Sequence, residues 1–267
     1  MNTTSLAGAR ILVTGASAGI GRAFAVQAVK AGARVVLAAR RLEQLEETRD
    51  EAGGGRPVAV DLLDPAGCAR LADVVREELG RLDLLVSCVG AAPLRMFADT
   101  DDEDWQHVFQ VNVVSTHRLI RCCLPLFDRG GMVMALSSET VRQPRTGLGA
   151  YATSKAALDR MIEGWRTEHP WLRFTTVTVG ATFPTDFGNA FEAEILDLAL
   201  NDWVGRGLTQ EEFMTPEDVA HVLIGVAAAT AGRPGIGVDH LTLRSPSPVL
   251  GAFNQSPAPV EPAPLDD

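Results

Sequence analysis

An apolar strand that runs straight into a glycine-rich turn and out into a helix leaves few folds open, and residues 10–21 (RILVTGASAGIG) have that pattern. The β-branched run ends at Thr14, Gly15, Gly19 and Gly21 permit a tight turn, and RAFAVQAVKAG continues at helical spacing. Such a loop turns backbone N–H groups and the positive end of a helix toward one point beyond the strand, which suits a pyrophosphate. Gly15, Ser17, Ala18, Gly19, Ile20 and Gly21 are its candidate ligands. A glycine triplet alone is weak evidence in a chain with 25 glycines, but its place between the first strand and the first helix strengthens it. No Gly-Lys-Ser/Thr follows, which argues against a mononucleotide P-loop.

The alternation of strand and helix continues. Residues 33–39 (ARVVLAA) are a predicted second strand, and 41–51 a charged amphipathic helix with Leu42 and Leu45 inward. Strands at 56–60 and 82–86 flank a helix at 68–79, and a long helix is predicted over 102–124. Then come a fifth strand at 131–136, a helix from about 149 to about 170, and a sixth strand at 173–179. Thr215, Pro216, Glu217 and Asp218 open a helix over 216–230, and 238–243 adds a last strand. Continuous apolar strands between helices predict an α/β fold with a parallel sheet covered on both faces. Residues 182–210, with apolar groups at mixed spacing, read as a helical flap over the carboxyl edge of that sheet, where ligands of such folds bind, or as one more core helix. A single domain is expected over 1–244, followed by a Pro-rich, acidic and mobile tail at 245–267.

With 24 Lys and Arg against 34 Asp and Glu, the net charge of −10 opposes binding to nucleic acid or to an anionic membrane through a general field. No apolar run reaches membrane-spanning length and the N-terminus lacks signal-peptide features, so a cytoplasmic protein is expected. Cys68, Cys88, Cys122 and Cys123 have no C-x-x-C spacing and read as buried thiols; the five histidines have no metal spacing, and no metal is expected.

Chemistry gathers at three places. At the end of strand two, Arg40 and Arg41 stand where an acidic residue would accept the ribose hydroxyls of NAD, so a 2′-phosphate is tolerated and paired; Arg40 is the first choice, Arg41 the second, and two surface arginines the bland alternative. Asp61, followed by Leu62, could accept from an adenine amino group or simply lead the next helix. Tyr151, the only tyrosine, precedes Lys155 by one helical turn, so phenol and ammonium share a face, and a cation there lowers the cost of a phenolate whose ordinary pKa is about 10.

Together these pieces resemble the short-chain dehydrogenase/reductase family. TGASAGIG at 14–21, Asp61–Leu62, SCVG at 87–90, VNV at 111–113, Ser137–Ser138, YATSK at 151–155 and Val179–Gly180 fall in family order across about 8–243. The resemblance implies a Rossmann-like, doubly wound three-layer fold with a seven-stranded sheet, usually ordered 3-2-1-4-5-6-7, and assembly as a homodimer or homotetramer. It also implies that Tyr151 passes a proton to or from the substrate oxygen, that Ser138 (or Ser137) holds that oxygen, and that Lys155 lowers the Tyr151 pKa and binds the nicotinamide ribose. Asn112, an unfavourable residue inside a helix, would hold a water that connects Lys155 to solvent.

Departures from the family pattern are local. Ala18 replaces a basic residue common in NADP-preferring members, leaving the phosphate to Arg40 and Arg41. Ser87 and Cys88 replace two asparagines; Cys88, Val89 and Gly90 should still approach the cofactor by their backbone. Val179 replaces a proline, while Gly180, Thr182 and Thr185 remain, the two threonines competing for one role. The expected cofactor is NADP(H), with NAD(H) as the alternative. Leu94, Met96, Glu139, Phe183, Phe187, Phe191 and Trp203 are the expected substrate pocket, suited to a moderately apolar ketone or secondary alcohol, while Arg95, Arg142 and Arg145 would meet an anion or face water. The function expected is NADP-linked oxidoreduction; NAD-linked oxidation, epimerisation, and a scaffold with little turnover are the alternatives.

Overall fold

The computed structural model describes residues 5–189 and 191–250. Its centre is a wholly parallel seven-stranded sheet in the order β3-β2-β1-β4-β5-β6-β7. The strands are β1 (Arg10–Thr14), β2 (Arg34–Ala39), β3 (Arg56–Ala59), β4 (Leu82–Ser87), β5 (Phe127–Ser138), β6 (Arg173–Val179) and β7 (His240–Leu243). Each strand is apolar on both sides because each side is covered. Ile11, Val13, Val35 and Leu37 pack with Phe24 of α1 (Gly19–Lys30), Leu45 of α2 (Leu42–Ala52) and Leu223 of α8 (Pro216–Thr230). Leu12, Val36, Leu85 and Val133 face α3 (Pro65–Leu79), α5 (Ser115–Cys123) and α6 (Gly149–Glu168) on the other side. The strand order reverses between β1 and β4, whose last residues Thr14 and Ser87 pair, and a crevice opens there beyond the carboxyl ends.

Three differences from the predicted elements have physical causes. The helix before β4 begins at Pro65, three residues early, because Asp64 caps it by accepting from Ala66 N at 2.9 Å and proline suits the first position. The long helix is not regular: α4 (Asp102–Phe109) passes into a π-helical turn at Gln110–Val114 before α5. β5 starts at Phe127 because its pairing with β4 shifts register between Leu82 and Leu84, which absorbs the Gly130–Gly131 kink. Among its described residues the expected flap carries a 3-10 turn at Asp186–Gly188 and the helix α7 (Ala193–Gly205).

The expected mobile tail is held over its first six residues. Glu211 N donates to Pro248 O at 2.9 Å, Leu250 N to Thr209 O at 2.7 Å, and Ser245 is buried. Residues 251–267 of the expected tail lie outside the described residues. Cys68 and Cys123 are buried and Cys88 and Cys122 half-buried, all as free thiols. Among the described residues no helix is long and apolar enough to cross a membrane.

Candidate active site

The glycine loop is closed to side chains. A Cβ on Gly21 would stand 2.7 Å from the Gly15 carbonyl carbon, and one on Gly15, whose φ is +72°, would meet Cys88 O at 3.0 Å. The loop therefore lies flat between α1 and the end of β4, leaving the first N–H groups of α1 directed into the crevice. Thr185 arches over it from the far side, with its Cγ2 3.6 Å from where a Gly19 Cβ would be. Thr182, its competitor, turns back to donate to Gly180 O at 3.0 Å.

At the end of β2 the two arginines part. Both are exposed, and Arg41 places NH2 3.4 Å from Ser17 Oγ of the loop and 2.7 Å from Asp186 Oδ2. Asp61 Oδ1 accepts from Leu63 N at 2.9 Å in a local turn next to buried Leu62.

The π turn explains why asparagine sits inside a helix. Asn112 is fully buried; its Oδ1 accepts from Ala91 N at 2.8 Å and its Nδ2 donates to Ala91 O at 2.9 Å and to Ser154 Oγ at 2.8 Å. The side chain thus pins the loop after β4 to α6. Its amide hydrogens are all used, and one lone pair on Oδ1 remains for the expected water. Lys155 reaches the same place: a Cβ on Gly90 would lie 3.5 Å from Lys155 Nζ and 3.7 Å from Asn112 Oδ1.

Ser138, Tyr151 and Lys155 come together between the end of β5 and the first turns of α6, all buried. Ser138 Oγ accepts from Thr140 N at 3.2 Å and from Thr140 Oγ1 at 2.9 Å, which leaves its own hydrogen to donate. Ser137, next along the strand, points to the opposite face. Burial pushes the Tyr151 phenol up to about 12, against a hydrogen bond from Ser138 and the charge of Arg145. Burial likewise pulls Lys155 down to about 8. Lys155 Nζ donates to Leu136 O at 2.8 Å and stands 5.9 Å from the centroid of the Tyr151 ring, on the helix face the two residues share.

Arg145 was not singled out by sequence reasoning, which had it meeting an anion or facing water. It is nine-tenths buried, ion-paired with Glu139, bonded to Leu208 O at 2.8 Å and placed 5.6 Å over the Trp203 ring. The Glu139 side chain is thus occupied by Arg145 at the edge of the site.

Of the expected pocket, Leu94 and Trp203 form one apolar cluster with Leu148, Tyr151 and Ala199, against which Phe191 packs. Phe187 lies edge-on to Tyr151 at 5.1 Å and to Phe191 at 5.5 Å. Met96 and Phe183 are exposed, outside that cluster.

A flat glycine loop, a helix N-terminus aimed into the crevice and a buried Ser-Tyr-Lys set are a fit for a nicotinamide dinucleotide and an oxygen-bearing substrate. Comparison with known proteins agrees with this arrangement. A family model described as short chain dehydrogenase matches residues 9–195. The chain is 34% identical over 227 residues to glycine betaine reductase of Emericella nidulans, covering 82% of this chain and 17% of that one. It is 32% identical over 179 residues to an uncharacterised oxidoreductase of Bacillus subtilis, covering 65% of this chain and 66% of that one. The matches thus span less than two thirds of these relatives' own lengths. A crystal structure of a dehydrogenase/reductase from Sinorhizobium meliloti 1021 has the same fold, with a TM-score of 0.77 at 27% identity over 90% of this chain and 95% of that one. The chain belongs to the short chain dehydrogenase family.

Proposed function

We propose that the protein is an NADP(H)-linked oxidoreductase that interconverts a moderately apolar ketone and its secondary alcohol, with Tyr151 as general acid and base. The single observation that carries this reading is the meeting of Ser138, Tyr151 and Lys155 in one buried place beside the glycine loop. Gly15, Ser17, Ala18, Gly19, Ile20 and Gly21 would hold the pyrophosphate, Arg41 the 2′-phosphate, Lys155 the nicotinamide ribose, and Cys88, Val89, Gly90, Gly180 and Thr185 the nicotinamide end. When bound, the dinucleotide supplies or accepts the hydride.

The chain's own part is proton transfer and positioning. Tyr151, protonated at neutral pH because burial holds its pKa at about 12, is in the state needed to donate to a carbonyl oxygen. Ser138, whose hydrogen faces the Tyr151 hydroxyl, would turn it to the same substrate oxygen. In the alcohol-to-ketone direction Tyr151 must first lose its proton; its phenolate then takes the alcohol proton as the hydride leaves for the dinucleotide, and nearby positive charge favours that phenolate. Leu94, Phe187, Phe191 and Trp203 line the approach to Tyr151 with apolar surface, which favours an aliphatic, alicyclic or aromatic carbonyl. Assembly as a homodimer or homotetramer belongs to the same reading, and light scattering after size exclusion checks it.

The test is a panel of ketones and alcohols assayed with NADPH, NADP, NADH and NAD, following nicotinamide absorbance. Carbonyl-dependent oxidation of NADPH that is lost in Tyr151→Phe supports the assignment. Turnover that persists in that variant overturns it.

A further inference from the structure

Three consecutive residues of the flap touch three parts of the crevice. Thr185 lies over Gly19 of the glycine loop, Asp186 holds Arg41 at 2.7 Å, and Phe187 sits edge-on to Tyr151 at 5.1 Å. The segment is stiffened locally: Thr185 Oγ1 accepts from Phe187 N at 3.4 Å, and Asp186 Oδ1 accepts from Asn189 Nδ2 at 3.3 Å. Asp186 is therefore presented to Arg41 by a short built turn.

Arg41 is the guanidinium that overhangs Ser17 and the loop, and so the group a 2′-phosphate would need. Its NH2 is already taken by a carboxylate from the same chain, so a dianionic phosphate arriving there must displace that carboxylate from the guanidinium. A ribose with a free 2′-hydroxyl brings no such charge, and the Arg41–Asp186 pair can remain beside it. Both side chains are about half exposed, at 49% and 50%, so the pair is weak enough for a ligand to displace.

We propose that Asp186 is a cofactor-selecting residue: its carboxylate competes with the 2′-phosphate of NADP(H) for Arg41, so that this flap residue sets the balance between NADP(H) and NAD(H). The inference rests on the proposed dinucleotide site and deepens it. It assigns the balance to the flap as well as to the end of β2. It also makes phosphate binding and release of the 185–187 segment parts of one event, because the same turn that carries Asp186 carries Thr185 and Phe187.

The experiment is titration of the full chain with NADPH and with NADH, followed by cofactor fluorescence, for wild type, Asp186→Asn, Arg41→Ala and the double variant. Asp186→Asn keeps the size and polarity of the side chain and removes its charge. Its NADPH dissociation constant should fall about five- to tenfold, and its NADH constant should change less than about twofold. In the Arg41→Ala background the gain for NADPH should vanish. Equal gains for both cofactors, no gain for NADPH, or a gain that survives in Arg41→Ala would each overturn the inference. Wild-type protein that binds neither dinucleotide would instead overturn the proposed function, a result distinct from the other three.

Discussion

Lys155 Nζ donates to the carbonyl of Leu136 at 2.8 Å while standing 5.9 Å from the centroid of the Tyr151 ring, so the end of β5 anchors the ammonium beside the ring. Sharing a helix face brings the two side chains alongside each other. A buried lysine held by carbonyls has its own consequence, which is a dependence of stability on pH.

Burial pulls Lys155 from 10.5 to about 8, so between these values the unfolded chain holds the proton more readily than the folded one. The penalty of burying the ammonium is fully present below about pH 8 and is relieved as pH rises toward 10.5, by about 3 kcal/mol at most. Tyr151, Cys88 and Cys123 act with the opposite sign. Their pKa values are raised to about 12, so the stability they contribute is present below their ordinary values and is lost as pH rises through 12. Comparison with Lys155→Met isolates the lysine. The stability of this variant relative to wild type, measured by urea unfolding, should decline as pH rises from about 8 to about 10.5; a difference that is constant with pH would refute the assignment.

Tyr151 and Ser138 should separate binding from chemistry. Tyr151→Phe removes only a hydroxyl from a ring packed against Phe187 and Leu94, so the fold and cofactor binding should survive. Turnover of a responsive ketone should fall by about 10²- to 10⁴-fold, the usual worth of a placed general acid. Ser138→Ala should also lower kcat with little change in cofactor affinity. The readouts are steady-state rates and cofactor fluorescence on the same samples.

Much of this arrangement was legible because it is local. β1, β6 and α8 fell on their predicted residues, since an apolar run between turn residues, or a Thr-Pro-Glu-Asp start, needs no distant partner. What was not legible depends on residues far apart in the chain. The π turn at Gln110–Val114 is tied to Asn112 bonds that reach Ala91, 21 residues back, and Ser154, 42 residues on. Arg41 reaches Ser17 of the loop and Asp186, 145 residues on in the flap, a pairing that no local pattern announces. Arg145 reads as a loop arginine until Glu139, Leu208 and Trp203 close around it.

Asn112→Ala tests whether the π turn is structural as well as chemical. The truncation orphans Ala91 N and Ala91 O together with a bond to Ser154, where Asn112 and Ser154 are buried and Ala91 half-buried. Each buried group left unpaired costs about 1–3 kcal/mol, so a loss of several kcal/mol in urea unfolding is expected, with a larger fractional loss of kcat than of cofactor binding. A variant as stable as wild type would show that the loop after β4 is pinned by other contacts.

Trp203 joins the flap to the site by both of its chemistries. Its indole Nε1 donates to Thr146 O at 2.9 Å, its ring receives the Arg145 guanidinium at 5.6 Å, and its apolar surface packs with Leu94 and Tyr151. Trp203→Ala removes all three and leaves a cavity, at a cost of about 3–5 kcal/mol where the surroundings cannot collapse. Trp203→Phe keeps an aromatic face for Arg145 and loses the hydrogen bond, so its cost should be nearer 1 kcal/mol. If the flap supplies the substrate side of the pocket, Trp203→Ala should raise KM for bulky ketones more than it changes the dissociation constant of the cofactor. Equal changes in the two would place Trp203 with the general stability of the fold and outside substrate recognition, and substrate kinetics beside cofactor titration of both variants decide between these outcomes.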